Sequence, residues 1–196
     1  MQAARGTSVE DSDEGSHRAA GLLTAPRWWL LFAVVAALAI VADQVTKVLA
    51  VRHLTDHPDV EVVGELLQLH LTYNPGAAFS LGTRFTVVLA CLAMLATLVV
   101  LWLSRRIGSP VWALAMGFLL AGIDGNLADR LFREPGPFRG HVVDFLMLPN
   151  WPIFNVADVC INIGVGLVLI QILRAVRLDG SRDQRSVEAD PEESAP

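Results

Sequence analysis

The chain has 196 residues, enough for one domain, and 53% of them are hydrophobic with a mean hydropathy of +0.47, which excludes an ordinary soluble domain. The formal net charge is −5, with much of the acid at the two ends, and there is no basic stripe of the kind that binds nucleic acid. Two cysteines, Cys91 and Cys160, both lie in apolar runs, so they read as small buried hydrophobes and supply neither a disulfide framework nor a Cys/His metal cluster.

Residues 1–26 carry Glu10, Asp11, Asp13 and Glu14 among Gly, Ser and Ala with no apolar period, which predicts a disordered tail. It is not expected to be a secretory signal, because the apolar run starts late and is too long for a signal-peptide core. The first apolar segment runs from Trp28 to about Val51, interrupted by Asp43, Gln44 and Lys47. Residues 52–84 form a long loop in which Leu67-Gln68-Leu69-His70-Leu71-Thr72-Tyr73 alternates apolar and polar. That pattern predicts a strand with one covered face, ended by the turn Asn74-Pro75-Gly76. The second segment, Phe85 to Leu103, holds no charge, and the third runs from Pro110 to about Leu131 with Asp124, Asp129 and Arg130 in its second half. The fourth runs from Pro152 to about Val176, and a polar tail follows over 179–196, also expected to be disordered.

Each apolar segment is near the roughly 20 residues needed to cross a bilayer. The expected fold is an all-α membrane protein: one domain over 27–178, with four transmembrane helices and a small extracytoplasmic β-sheet between helices one and two. Arg5, Arg18, Arg27, Arg105, Arg106, Arg174, Arg177, Arg182 and Arg185 fall on one side of such a chain, against Lys47, Arg52, Arg84, Arg130, Arg133 and Arg139 on the other. This bias predicts that both termini are cytoplasmic.

The polar residues inside the apolar segments then gather near the outer face. Ionisable residues at membrane depth are functional by default. Asp43 and Lys47, at i and i+4, share a helix face. They read equally as a self-neutralising pair, with Lys47 snorkelling outwards, and as a functional acid with its brace. Asn74-Pro75-Gly76-Ala77-Ala78-Phe79 is a turn whose small residues also admit close approach of a substrate backbone. Asn126, Asp129 and Arg130 lie on one face, the expectation being a helix-end network in which Arg130 neutralises Asp129. Asp124 lies off that face and receives no role.

The segment Gly140–Ile161, GHVVDFLMLPNWPIFNVADVCI, carries Asp144, reverses through Pro149, Asn150, Trp151 and Pro152, and enters the fourth segment with Asn155 and Asp158. Asp144 and Asp158 have no cation nearby in sequence. Two acids converging at low dielectric hold one proton between them. The charged member takes a proton from water while the neutral one donates to a carbonyl oxygen, and peptide hydrolysis needs both. Other chemistries fare worse. His17, His53, His57, His70 and His141 are all expected outside helices, and no H-E-x-x-H or Gly-rich phosphate loop occurs. His141 is within reach of Asp144 but reads as a solvated loop residue.

In order, the blocks Asp43-Gln44-x-x-Lys47, Asn74-x-Gly76-Ala77-Ala78-Phe79, Gly125-Asn126-x-x-Asp129-Arg130, Val142-Val143-Asp144-Phe145 and Phe154-Asn155-x-Ala157-Asp158 span residues 43–158. Taken together, they resemble the bacterial lipoprotein signal peptidases, signal peptidase II. Each block alone is weak; the ordered set is specific and covers the membrane core but not the tails. The resemblance implies a four-helix intramembrane aspartic protease of the bacterial plasma membrane. It implies cleavage of prolipoproteins just before a cysteine that already carries diacylglyceryl. The family's catalytic pair falls on Asp144 and Asp158, and supporting residues fall on Asp43, Asn74, Gly76, Asn126, Asp129, Arg130 and Asn155. No metal and no cofactor are implied; the implied partners are lipidated prolipoproteins and membrane lipids, and the chain is expected to be a monomer that binds no nucleic acid. Ala121 stands where a second glycine is common, Asp124 is unusual in its block, and Arg133–Arg139 resembles an insertion. Two other classes stay open from the residues alone. A proton-coupled transporter would place its site near the midplane and often show internal repeats, whereas these acids are superficial and no repeat is seen. A non-enzymatic lipid-binding protein would not need two matched acids.

Overall fold

The computed structural model describes residues 26–76 and 85–182. The Ala77-Ala78-Phe79 stretch and the tails lie outside the described residues, except for 26 and 179–182. Among the described residues, four helices are long and apolar enough to cross a membrane: α1 (Pro26–Leu54), α2 (Thr86–Ser104), α3 (Pro110–Phe132) and α4 (Val156–Leu173). The remaining elements among the described residues are the strands β1 (Val60–Val63), β2 (Leu67–Asn74) and β3 (Val142–Met147). The chain is a multi-pass membrane protein.

Helix α1 is longer than its apolar run. Its 29 residues span about 44 Å at 1.5 Å each, more than the roughly 30 Å of hydrocarbon, so its last turn, with Arg52 and His53, projects beyond the bilayer core. His53 therefore lies in a helix rather than a loop, its Nδ1 2.9 Å from the Leu49 carbonyl. Helix α3 begins where Ser109 accepts a bond from the Trp112 amide at 3.3 Å, with Pro110 in the first turn. This is the arrangement that starts helices, since proline's missing N–H is not needed there.

Helix α3 is central, packed against α1, α2 and α4, and it is the most buried span. Small residues allow this closeness, as in other membrane bundles. A Cβ at Gly125 would lie 2.6 Å from Asp43 Oδ2 and 3.1 Å from the Ala157 methyl, so only glycine lets α1 and α4 meet α3 at that level. The apolar core sits at the opposite end of the bundle, around Phe32, Ala36, Val100, Trp112 and Met116. There the Trp112 indole donates to the Val176 carbonyl at 3.2 Å, and Gly108 N–H donates to Leu178 O at 2.9 Å. Residues 179–182, assigned by composition to the tail, belong to this closure: Val176 and Arg182 form a β-bridge.

The sheet is antiparallel, in the order β1-β2-β3. The expected strand at 67–73 is β2. The third strand comes from between α3 and α4, so the sheet joins two distant parts of the chain. Asp144, expected in a loop, is a strand residue opposite Thr72. The reversal at Pro149–Pro152 occurs as the sequence predicts, with Asn150 at φ 56°, a conformation asparagine tolerates. It returns Phe154 to Leu146, with bonds of 3.0 and 2.8 Å between them. Helix α4 starts four residues later than the apolar run because Asn155 caps it. Asn155 accepts from the Asp158 amide at 3.1 Å and Asp158 accepts from the Asn155 amide at 3.1 Å, a reciprocal capping box. The stretch Arg133–Arg139 is a closed loop, held by Gly140 N–H to Arg130 O at 3.1 Å and His141 N–H to Glu134 O at 3.0 Å.

Candidate active site

The polar residues singled out in the sequence converge at the sheet end of the bundle in two groups. The first is a buried ion cluster. Lys47, Asp43 and Asp129 are each 0% exposed. Lys47 Nζ lies 3.0 Å from Asp43 Oδ2 and 2.8 Å from Asp129 Oδ2, and Arg133 pairs with Asp129 Oδ1. Two acids and two bases balance, as a buried cluster requires. Lys47 therefore does not snorkel; it turns inward because a second carboxylate waits on α3. Asp129 is neutralised by Lys47 and Arg133, not by its sequence neighbour Arg130.

This cluster fixes backbone as well as charge. Asp43 Oδ1 accepts the Ala157 N–H at 2.8 Å, one of the unpaired amides at the start of α4. Asp129 Oδ2 accepts the Val143 N–H at 3.1 Å, next to Asp144 in β3. Gln44 ties Asp43 to the Gly125 carbonyl, both bonds at 3.0 Å. The strand and the helix that carry Asp144 and Asp158 are thus both anchored on buried acids.

The second group faces an open cleft of about 1600 Å³, lined by Asp144, Asp158, Asn74, Gly76, Asn126 and Arg130 among others. Asp144 accepts from Asn155 Nδ2 at 2.6 Å and from Asn74 Nδ2 at 3.0 Å. Asp158 accepts from Asn126 Nδ2 at 2.9 Å. Asn155 Nδ2 also donates to Asn126 Oδ1 at 3.1 Å, so one amide chain runs Asp144–Asn155–Asn126–Asp158. Asn74 is held in turn by the Gly76 N–H at 3.0 Å. Lys47 Nζ donates to Asn126 Oδ1 at 3.0 Å and links the two groups.

Burial pushes the Asp144 carboxyl up to about 6, and the charge of Asp158 adds to the rise; donation from Asn74 and Asn155 opposes it. Arg130 lies where it interacts electrostatically with both acids. Its guanidinium donates to the Asn126 carbonyl at 3.2 Å, and its buried Nε has no partner among the described residues. Asp124 stands apart, accepting a bond from Thr97 of α2 at 2.5 Å. His141 does not hydrogen-bond Asp144.

Residues 35–174 match the family described as Signal peptidase (SPase) II. The chain belongs to the signal peptidase II family. It is thus an aspartic peptidase, and the four apolar helices fit a membrane enzyme. Among curated relatives, the lipoprotein signal peptidase of Leifsonia xyli subsp. xyli is 47% identical over 156 residues, 79% of this chain and 72% of that protein. The lipoprotein signal peptidase of Mycobacterium avium (strain 104) is 44% identical over 165 residues, 84% and 90% of the two chains. A solved bacterial membrane enzyme obtained by the in meso method at 2.3 Å resolution has a TM-score of 0.64 at 26% identity, covering 72% of this chain and 87% of its own.

Sequence reasoning gave Lys47 no part in the site beyond pairing with Asp43. It also passed over Asn162, which lines the cleft one turn beyond Asp158. For Asn162 a signal existed, since it is a lone amide four residues after an acid in an apolar run.

Proposed function

We propose that this peptidase removes signal peptides from diacylglyceryl-modified prolipoproteins, cutting before the lipidated cysteine, and that Asp144 and Asp158 activate the attacking water as a pair. The observation that carries this reading is the shared setting of the two acids. They face one cleft, are joined through Asn155 and Asn126, and sit beside Arg130, while Lys47, which also acts on Asp144, is matched within its own cluster with Asp43, Asp129 and Arg133. Two carboxylates against one guanidinium leave one excess negative charge, which a single shared proton removes. The buried strand acid Asp144, with its raised affinity for protons, is the natural holder. It donates to the scissile carbonyl while ionised Asp158 takes a proton from water; as the tetrahedral intermediate collapses, Asp158 passes that proton to the leaving amine, the C–N bond breaks, and Asp144 recovers its own proton from the hydroxyl. The amides of Asn155, Asn126 and Asn74 hold the carboxyl groups in place by donating to them.

The arginine distribution supports cytoplasmic termini and a site near the outer face, where water reaches the cleft. The substrate enters sideways, its acyl chains remaining in lipid or in a groove between helices. Membrane lipid is thus a partner, and the reading needs only one copy of the chain. Purified protein incubated with a synthetic lipidated precursor tests the proposal. The expected product masses correspond to one cut immediately before the lipidated cysteine. An uncut precursor, or a cut elsewhere, overturns it.

A further inference from the structure

We propose that Asn162 is a positioning residue for the substrate, holding the backbone of the peptide segment that reaches the acids from the bilayer side. This rests on the peptidase reading above and names a contact it lacks.

Asn162 lies in α4, exposed and lining the cleft, in a span whose neighbouring exposed residues are Val159, Ile163 and Val165. Its Nδ2 donates to the Asp158 carbonyl at 3.0 Å. That bond fixes the amide plane. The Oδ1 and the second N–H have no partner among the described residues. Once a peptide fills the cleft and excludes water, that left-over capacity is costly unless the peptide uses it.

The geometry points to what uses it. Asn162 follows Asp158 by four residues, so the two share a face and lie about 6 Å apart along the axis. An extended chain covers about 3.3 Å per residue. A peptide with its scissile bond at Asp158 and its preceding segment running into the bilayer therefore passes Asn162 about two residues before the cut. That segment must leave helical hydrogen bonding for the acids to reach its carbonyl. As the peptide fills the cleft it displaces the water there, and its freed N–H and C=O then need protein partners. An amide with one free acceptor and one free donor matches that need, and an apolar residue would not.

The test uses the full chain and a lipidated precursor peptide, with single backbone amides replaced by esters at each of the three positions before the scissile bond. Asn162→Leu is expected to raise KM by about threefold to tenfold, the range of one net hydrogen bond. The kcat, pH profile and melting temperature are expected to stay as in the parent, because the side chain is exposed and bonds only its own helix. Asn162→Ser, whose hydroxyl can bond the Asp158 carbonyl and still accept, is expected to recover part of the loss. One ester is expected to raise the parent's KM by a similar factor and to leave that of Asn162→Leu unchanged. A KM equal to the parent's, or ester and leucine effects that multiply, overturns the inference while the peptidase reading stands. A parent that fails to cut the precursor removes the proposed function and this inference with it.

Discussion

Replacing Asp129 with asparagine keeps the shape of the side chain and removes its charge. In the parent its oxygens only accept: Oδ2 from Lys47 at 2.8 Å and from the Val143 amide at 3.1 Å, Oδ1 from Arg133. An asparagine has one oxygen, so its NH2 must face a donor in either orientation. The less costly choice turns the NH2 toward Arg133, which is 25% exposed and can swing into water. Lys47 then keeps Asp43 at 3.0 Å. Breaking a buried ion pair on one side costs about 3–5 kcal/mol, and the remaining contacts favour the lower end. At about 2–4 °C per kcal/mol for a chain of this size, the melting temperature should fall by about 6–12 °C. Asp129 does not line the cleft, so activity per folded molecule should stay within about tenfold of the parent. The residual loss comes through the Val143 amide, which registers β3 beside Asp144. Melting temperature and specific activity are measured on the same purified samples. A variant that melts like the parent yet is inactive would place Asp129 in the reacting pair and reopen the assignment of Asp144.

Asp144→Asn and Asp158→Asn should each lower turnover by at least about 10²-fold while leaving the protein in the membrane; near-normal turnover by either removes that residue from the pair. The Asp144 carboxyl titrates near 3.8 when unfolded and about 6 when folded, so the folded state holds the proton more tightly. Its contribution is complete below pH 3.8 and is lost as pH rises through about 6, about 3 kcal/mol in all at 1.36 kcal/mol per unit. From pH 4 to pH 7 the difference in melting temperature between Asp144→Asn and the parent should therefore move in the variant's favour, and a constant difference refutes the raised affinity. Lys47→Met should melt well below the parent, with Asp43→Asn added to it restoring part of the loss, because the second change removes an acid left without its cation; no restoration would mean that the ion cluster is not what Lys47 supports. In intact cells an impermeant thiol reagent should label a cysteine placed at Asp56 and spare one at Ser8; the reverse pattern inverts the orientation.

The sequence by itself determined the four spans, the strand at 67–73, the reversal at Pro149–Pro152, and which polar residues of the apolar spans gather at one end of the bundle. These are local matters. Apolar length sets a membrane helix, alternation sets a half-covered strand, and a carboxylate in an apolar run is too costly to be there without a use. The tertiary structure decided which charges meet. Lys47 was legible as the partner of Asp43 at i+4, but its second partner, Asp129, lies on another helix. An inward lysine is favoured only when both carboxylates share its burial. Arg130 is adjacent to Asp129 in sequence, yet Asp129 instead faces Lys47 and Arg133, one helical turn on. Asp144 became a strand residue because β2, some 70 positions earlier, offers it a ladder, and no local pattern records a pairing across that separation. The start of α4 was set by the Asn155–Asp158 capping box, a four-residue signal that was present in the sequence. The bond from Asp43 to the Ala157 amide was not, because it depends on α1, α3 and α4 approaching at the level of Gly125, and only packing fixes that level.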